Sequence, residues 1–381
     1  MRAARRQVIQ AGTLVLPEGA SGPGFVVVDG ERIVAVERGH HPHPDLDCGD
    51  QVLAPGFVDL QVNGAAGCDF LSPTPEGLAA SHAYLLRSGT LAYLPTLISA
   101  PEERLRAALA FFADRLQDPG PPRVLGVHLE GPFLSPARSG AHRPGHLRAP
   151  SIQWIGRLLD DFPGVIRMVT LAPELDGALP VIEHLVSRSI VVGVGHTDAT
   201  YDQATAAFVR GARLATHLFN AMRPYHHRDP GVVGAALAHP GVTCSIIADL
   251  VHLHPTVVGQ IIALKGPDAT ALVTDAISAA GAAGGILTLG DRVVRVADGA
   301  PRLEDGTLAG SVLAMDQAVR HVVGLGRPLA EAVRMASATP ARVLGLEQGE
   351  LRAGMRADLV LLDKTVAVTG AFAGGRPFRF T

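Results

Sequence analysis

The feature that most limits the fold is a regular alternation of short apolar runs with segments of helical periodicity over residues 57–274. The apolar runs predict eight strands, at residues 57–62, 91–97, 124–129, 166–171, 190–194, 214–218, 242–248 and 271–274. Helix-compatible segments lie between them at residues 76–88, 101–116, 151–161, 175–188, 201–210 and 255–265. Such repetition implies a parallel sheet of the α/β class, and eight units favour a closed (β/α)8 TIM-like barrel. A doubly wound sheet is the alternative.

Both ends of the chain are β-rich and lack this alternation. Residues 7–16 and 25–36 have strand character, and Asp29-Gly30 between two apolar runs indicates a hairpin. Strand character returns at 358–362 and 365–368. We therefore predict a small discontinuous β-sandwich domain from residues 1–52 and 350–381, beside a hydrolase barrel over 53–349. A hairpin over 286–296 and helices over 312–324 and 329–344 complete the prediction.

Composition excludes several classes of protein. The 33 basic and 36 acidic residues give a pI near 6.6, which is not the charge balance of a nucleic-acid-binding protein. Cys48, Cys68 and Cys244 are widely spaced without a Cys-x-x-Cys pair, which argues against a disulfide framework or a cysteine zinc site. The N-terminus makes a poor signal peptide, and no apolar run reaches the roughly 18 residues of a membrane span. We expect a cytoplasmic protein with no membrane partner.

Several predicted strands end on residues that carry chemistry. The third strand runs directly into Glu130, followed by Gly131-Pro132. A buried carboxylate needs a partner, although Glu130 taken alone could equally be an exposed acid at a turn. In a barrel the site lies at the carboxyl ends of the strands. The other strand ends carry Gln61, Asn63, His196, His217, Asp249, His252 and Asp275.

One carboxylate and two imidazoles, from Glu130, His196 and His217, suit a catalytic divalent ion with an open position. Zn²⁺ is the first prediction, and Fe²⁺, Co²⁺ or Mn²⁺ would also accept this set of ligands. Asp275 is the candidate acid/base for an activated water. Gln61 and Asn63 carry amides, which are weaker ligands than imidazole, so we expect them to orient water or a ligand.

Six segments together resemble the N-acetylglucosamine-6-phosphate deacetylases of the amidohydrolase superfamily. They are residues 54–64, 128–133 with 140–142, 195–197, 216–222, 248–252 and 272–276. The resemblance covers nearly the whole chain and implies hydrolysis of N-acetylglucosamine 6-phosphate to glucosamine 6-phosphate and acetate. It implies that Glu130, His196 and His217 bind the metal and that Asp275 is the acid/base. It also implies that His142 polarises the acetyl carbonyl or holds the oxyanion.

The resemblance extends to the sugar phosphate. It implies that the Asn220-Ala221 segment and His252 contact the substrate and that Arg228 reaches the phosphate of a neighbouring subunit in a homodimer. The pair before Arg228, at 226–227, consists of two histidines where the family has smaller residues, and either could also touch phosphate. His254 is expected to be structural or to support a neighbouring group.

The first predicted strand indicates how many metal ions each subunit binds. Many amidohydrolases have His-x-His there for a second ion, whereas this chain has Gln61-Val62-Asn63 and resembles the deacetylases that work with one metal. One ion per subunit is therefore expected. Deacetylation of a related compound, such as N-acetylgalactosamine 6-phosphate or an N-acylated amino acid, is the alternative activity. A catalytically silent barrel that binds a sugar phosphate is the alternative from a different class.

Overall fold

The computed structural model describes residues 6–118, 120–282 and 287–379. Its first strands precede the barrel and are β1 (Gln7–Ala11), β2 (Thr13–Leu16), β3 (Gly19–Ser21), β4 (Gly24–Asp29), β5 (Arg32–Arg38), β6 (Leu46–Asp47) and β7 (Val52–Pro55). Four of them form a sheet in the order β5-β4-β1-β6. The pairing of Asp29 with Arg32 confirms the predicted hairpin between β4 and β5.

The barrel consists of parallel strands that follow one another in chain order. Within the described chain they are β8 (Phe57–Val62), β11 (Thr90–Ile98), β13 (Val127–Glu130), β14 (Ile166–Leu171), β15 (Val191–Val194), β16 (Leu214–Ala215), β17 (Thr243–Ile247) and β18 (Thr270–Val273). Three short strands lie among them: β9 (Gly64–Ala65), β10 (Cys68–Asp69) and β12 (Arg123–Val124). The predicted third strand is thus divided into β12 and β13, with Gly126 at a φ of 129° between them.

The barrel closes between its first and last strands. The Asp275 N–H donates to the Gln61 carbonyl at 2.9 Å, and the Asn63 N–H donates to the Ala276 carbonyl at 2.7 Å. An open doubly wound sheet has no such contact between its first and last strands. The (β/α)8 prediction is confirmed.

The helices predicted between residues 76 and 324 agree with observed ones within a few residues, and a further helix, for which no bounds were predicted, lies between the sixth and seventh barrel strands. The helices of the described chain are α1 (Pro75–Arg87), α2 (Glu102–Ala113), α3 (Ile152–Asp161), α4 (Ala178–Ser187), α5 (Tyr201–Val209), α6 (Gly231–Ala238), α7 (Pro255–Lys265), α8 (Met315–Gly324), α9 (Leu329–Ala336) and α10 (Ala338–Val343). The single helix predicted over 329–344 is wrong, because the chain breaks at Ser337. Pro340 has no N–H to donate to the Ala336 carbonyl, so one continuous helix would lose a hydrogen bond there. None of the described helices has the length and apolar character of a membrane span.

The remaining strands follow the barrel. The first three form an antiparallel sheet and are β19 (Leu287–Leu289), β20 (Arg292–Ala297) and β21 (Ala300–Arg302). The hairpin predicted over 286–296 is confirmed from Leu287 onward, whereas residue 286 lies outside the described residues. The last strands are β22 (Leu359–Leu362), β23 (Val368–Ala373) and β24 (Arg376–Arg379).

The two chain ends share one sheet, in the order β24-β23-β22-β7-β2-β3. This sheet and the four-stranded sheet bury a common core that includes Ile9, Leu53 and Phe372. The discontinuous β sandwich is therefore confirmed, and its boundaries at 52 and 350 stay a prediction. The strand predicted at 365–368 is wrong, because Asp363 Oδ1 accepts the N–H groups of Thr365 and Ala367 and closes a turn there.

His82 on α1 is a partly buried histidine away from the strand ends. Its Nε2 lies 2.9 Å from the hydroxyl of Tyr93, which is buried in β11. Burial lowers the pKa of His82 from 6.5 to about 4. Between these pH values the unfolded chain binds a proton that the folded chain does not bind, so His82 makes the protein less stable as the pH falls.

We expect His82→Gln to weaken this pH dependence, because the amide can accept from Tyr93 but does not titrate. The loss of unfolding free energy between pH 7 and 4, measured by urea titration, should be smaller than in the wild type by up to roughly 3 kcal/mol. The exposed His43→Gln is the matched control and should follow the wild type. Equal losses in His82→Gln and the wild type would contradict the assignment.

Candidate active site

The carboxyl ends of the barrel strands surround a pocket of about 300 Å³. Nine residues predicted for the site line it: Asn63, Glu130, His142, His196, His217, Asn220, Ala221, His252 and Asp275. Gln61 contacts the pocket carboxylates, and only Arg228 lies apart from the pocket within one chain. The parallel barrel brings together side chains that are up to 214 residues apart in sequence.

Glu130, His196 and His217 form a tight triangle of potential ligand atoms. Glu130 Oε1 lies 3.0 Å from His217 Nε2 and 3.3 Å from His196 Nε2, and the two Nε2 atoms are 3.1 Å apart. All three side chains are buried. Burial opposes ionisation of Glu130, but the three histidines around it outweigh burial and hold its pKa well below the usual range.

Hydrogen bonds on the far side of the rings indicate which nitrogen is free to bind a cation. His196 Nδ1 lies 3.0 Å from the Arg138 carbonyl, which can only accept, so Nδ1 carries the proton and Nε2 keeps its lone pair. His217 Nδ1 is buried and has no hydrogen-bond partner among the described residues. The two Nε2 atoms and the carboxylate face one point, and with the His217 proton on Nδ1 they fit a divalent cation.

His142 offers a second possible set of ligands, because Glu130, His142 and His196 also present atoms within 4.8 Å of one another. However, the Ser99 N–H donates to His142 Nδ1 at 3.2 Å, so in the neutral ring the proton is on Nε2. That nitrogen is 3.5 Å from Glu130 Oε2. A protonated Nε2 cannot bind a metal but can donate to an oxygen, so we favour the set with His217.

Asp275 lies beside this triangle, at the end of β18. Its Oδ1 accepts from Asn63 Nδ2 at 2.6 Å and from Gln61 Nε2 at 3.1 Å, and Gln61 Nε2 also donates to Glu130 Oε1 at 2.8 Å. Burial, followed by the negative charge of Glu130, raises the pKa of Asp275 to about 8. A cation near Glu130 would act in the opposite direction and favour the carboxylate. The two amide donors and a cation at this point therefore favour the ionised form of Asp275, which can accept a proton.

Left-handed backbone at the strand ends is a feature that the sequence did not indicate. His196, His217 and Asp275 have φ values of 47°, 34° and 49°. Few residues other than glycine adopt this conformation, which costs energy and is found at functional sites. At each of these three residues the backbone turns sharply after a strand, and the side chain lines the pocket.

His252 is held by Asp249. Its Nδ1 lies 2.7 Å from Asp249 Oδ2, and Asp249 Oδ1 accepts the His252 N–H at 2.8 Å. Burial opposes ionisation of Asp249, but these hydrogen bonds outweigh it and lower its pKa. The Nε2 of His252 is left for a ligand in the pocket. His254, in contrast, is exposed and caps α7, since its Nδ1 accepts the Thr256 N–H.

Arg228 lies on an exposed loop. Its Nη1 is 2.7 Å from His227 Nε2, and its N–H donates to His226 Nδ1. Arg223 closes the loop by donating to Asp229 Oδ2 at 2.6 and 3.0 Å, and it reaches the segment after β15 by donating to Asp198 Oδ2 at 3.3 Å. The two histidines therefore contact Arg228 itself, and none of the three lines the pocket of its own chain.

Some residues of the site escaped the sequence analysis. Ser99, the first residue after β11, occupies a strand end but carries no metal-binding group. Leu289, Thr307 and Leu308, which line the pocket, come from the segment after the barrel, where no motif pointed to a site. These three residues reach the pocket because that segment folds over the strand ends.

Comparison with known proteins shows the family of the chain. Residues 52–377 match the model of the amidohydrolase family. The N-acetylgalactosamine-6-phosphate deacetylase of Escherichia coli is 39% identical, over 86% of this chain and 87% of its own length. The human N-acetylglucosamine-6-phosphate deacetylase is 39% identical, over 91% of this chain and 86% of its own length.

Solved structures extend the similarity to the whole fold. The N-acetyl-D-glucosamine-6-phosphate deacetylase of Mycobacterium smegmatis superposes with a TM-score of 0.93 at 39% identity, covering 97% of this chain and 99% of its own. The structure of a mutant of the Mycobacterium smegmatis enzyme, in complex with N-acetyl-D-glucosamine-6-phosphate, also superposes with a TM-score of 0.93. This chain therefore belongs to the amidohydrolase family, in the N-acetylglucosamine-6-phosphate deacetylase group that its motifs resemble.

Proposed function

We propose that the protein hydrolyses N-acetylglucosamine 6-phosphate to glucosamine 6-phosphate and acetate. The observation that carries the proposal is Asp275 beside the Glu130–His196–His217 triangle, in a pocket large enough for a sugar phosphate. The names of the relatives support it, as does the substrate held by the Mycobacterium smegmatis structure.

The proposed cofactor is one divalent ion per subunit, held by Glu130, His196 and His217, with Zn²⁺ as the first choice. Such an ion supplies Lewis-acid chemistry, which activates water and polarises a carbonyl. Gln61 and Asn63 support a single ion, because their amides donate to carboxylates and do not present imidazole lone pairs.

Asp275 is the proposed proton carrier. It accepts a proton from the water that attacks the acetyl carbon, and it returns that proton to the sugar nitrogen as the C–N bond breaks. Burial favours the protonated form of Asp275 and a bound cation favours the carboxylate, so the group can both take and give a proton. His142, with its proton on Nε2, donates to the acetyl oxygen as negative charge develops there.

The phosphate is proposed to lie near His252 and the Asn220-Ala221 segment, with Arg228 supplied by a second subunit. An apolar surface supports a homodimer: it is lined by Phe219, Tyr225, Leu237, Val257 and Leu264. Tyr225 is 53% and Leu264 is 67% exposed. Contiguous exposed apolar side chains are typical of an interface, and Tyr225 begins the loop that carries Arg228.

N-acetylgalactosamine 6-phosphate is the second candidate substrate, since the Escherichia coli relative is named for it. The two sugars differ only in the orientation of one hydroxyl. Acetate release from both sugars and from N-acylated amino acids, compared as kcat/KM, decides between them. Binding without hydrolysis at full metal loading would instead support the silent barrel. The cytoplasmic location stays a prediction.

Asp275→Asn should retain metal and bind substrate, yet lower kcat by about 10²–10⁴-fold, because an amide cannot accept the proton. The exposed Asp202→Asn is the matched control and should keep wild-type kcat. Metal content, substrate affinity and acetate release are measured on the same samples. Near-normal turnover in Asp275→Asn would refute the proposed role.

Arg228→Ala should raise KM about tenfold or more with little change in kcat, because a charged hydrogen bond to the phosphate is lost. Mixing this variant with Asp275→Asn tests the origin of the arginine. In a mixed dimer, the subunit with Asp275 receives Arg228 from its partner, so low-substrate activity should rise above that of either variant alone. A fully active monomer, or mixing without any gain, would exclude donation across an interface.

A further inference from the structure

Asp59 is a fully buried carboxylate on β8 to which the proposed chemistry assigns no role. Its Oδ2 accepts the Thr274 hydroxyl at 2.6 Å. Its Oδ1 accepts the backbone N–H groups of Gln61 at 3.1 Å and Thr274 at 3.3 Å. All three donors are uncharged, so Asp59 is not half of an ion pair with them.

The two hydrogen bonds from Thr274 join the first and last strands of the barrel where they meet, and the one from Gln61 lies within β8. Gln61 leads into the pocket from β8, and Thr274 immediately precedes Asp275 after β18. The Thr274 hydroxyl also accepts the Ala276 N–H at 3.2 Å, and the Asp275 N–H donates to the Gln61 carbonyl at 2.9 Å. The backbone on both sides of Asp275 is therefore tied to Asp59 or to Thr274.

Asp275 needs such support because its φ of 49° is strained. A conformation of this kind persists only where its surroundings fix it. Three donors converge on Asp59, and these hydrogen bonds favour its ionised form against burial, which raises its pKa to about 7. An asparagine would place an NH₂ group against the Thr274 hydroxyl.

We propose that Asp59 and Thr274 form a clasp across the barrel seam that positions Asp275 and Gln61 for proton transfer. Both are positioning residues, since neither lines the pocket. The inference rests on the proposed function, in which Asp275 carries the proton. Asp59 holds the Gln61 backbone, and the amide of Gln61 donates to both Glu130 and Asp275, so the clasp sets the spacing between the two carboxylates.

The first test removes only the hydroxyl group of Thr274. Thr274→Val keeps the branched shape and should lower kcat by about tenfold or more with KM within about twofold, because Asp275 shifts while the residues proposed to contact the sugar phosphate are unchanged. Thr274→Ser restores the hydroxyl and should bring kcat back to within about threefold of the wild type. A merely structural role would lower the melting temperature in Thr274→Val without separating kcat from KM.

A double variant separates this proposal from the proposed function. If the clasp acts through Asp275, Thr274→Val should cause no further loss in the residual single-turnover rate of Asp275→Asn. An equal loss in both backgrounds, or wild-type kcat in Thr274→Val, overturns the clasp. Near-normal turnover in Asp275→Asn overturns the proposed function itself.

Folding failure is also decisive. If Thr274→Val does not fold, Asp59→Asn takes its place, because the amide oxygen still accepts the two N–H groups while the hydroxyl loses its anionic acceptor. The same separation of kcat from KM is expected there. If neither variant folds, the pair serves barrel closure and the positioning role is wrong.

Discussion

The buried negative charge of Glu130 is the constraint on which the site depends. An isolated carboxylate in a protein interior is costly unless cations or donors surround it. Here His196, His217 and the amide of Gln61 converge on it from other strands, and His142 reaches it from the loop after β13. The closed parallel barrel brings these chain segments to one point, so the fold supplies the groups that stabilise this charge.

Two histidines in the same pocket have opposite proton positions, and each is set by a backbone group. The Arg138 carbonyl accepts from His196 Nδ1 and leaves Nε2 free as a ligand. The Ser99 N–H donates to His142 Nδ1 and leaves the proton on Nε2. One residue type thus supplies a metal ligand and a hydrogen-bond donor, and the backbone of neighbouring loops decides which.

Much of the fold was predictable because strand and helix periodicities are local properties of the sequence. Glu130, His196, His217 and Asp275 were also predictable, since each follows an apolar run and the barrel places such positions at one edge. Ser99 was not, because its N–H and hydroxyl act only through His142 Nδ1, a contact between distant segments that no local pattern records. The break at Ser337 and the left-handed conformation at Asp275 depend on tertiary contacts that no local pattern records.

The most direct test of the account is a crystal structure of the metal-loaded protein, with anomalous scattering measured at the metal absorption edge. We predict one peak per subunit, about 2.0–2.2 Å from Glu130, His196 Nε2 and His217 Nε2, with His142 outside bonding distance. An ion bound to His142 in place of His217 would contradict the account. So would a second peak near Gln61 and Asn63, if both ions were needed for turnover.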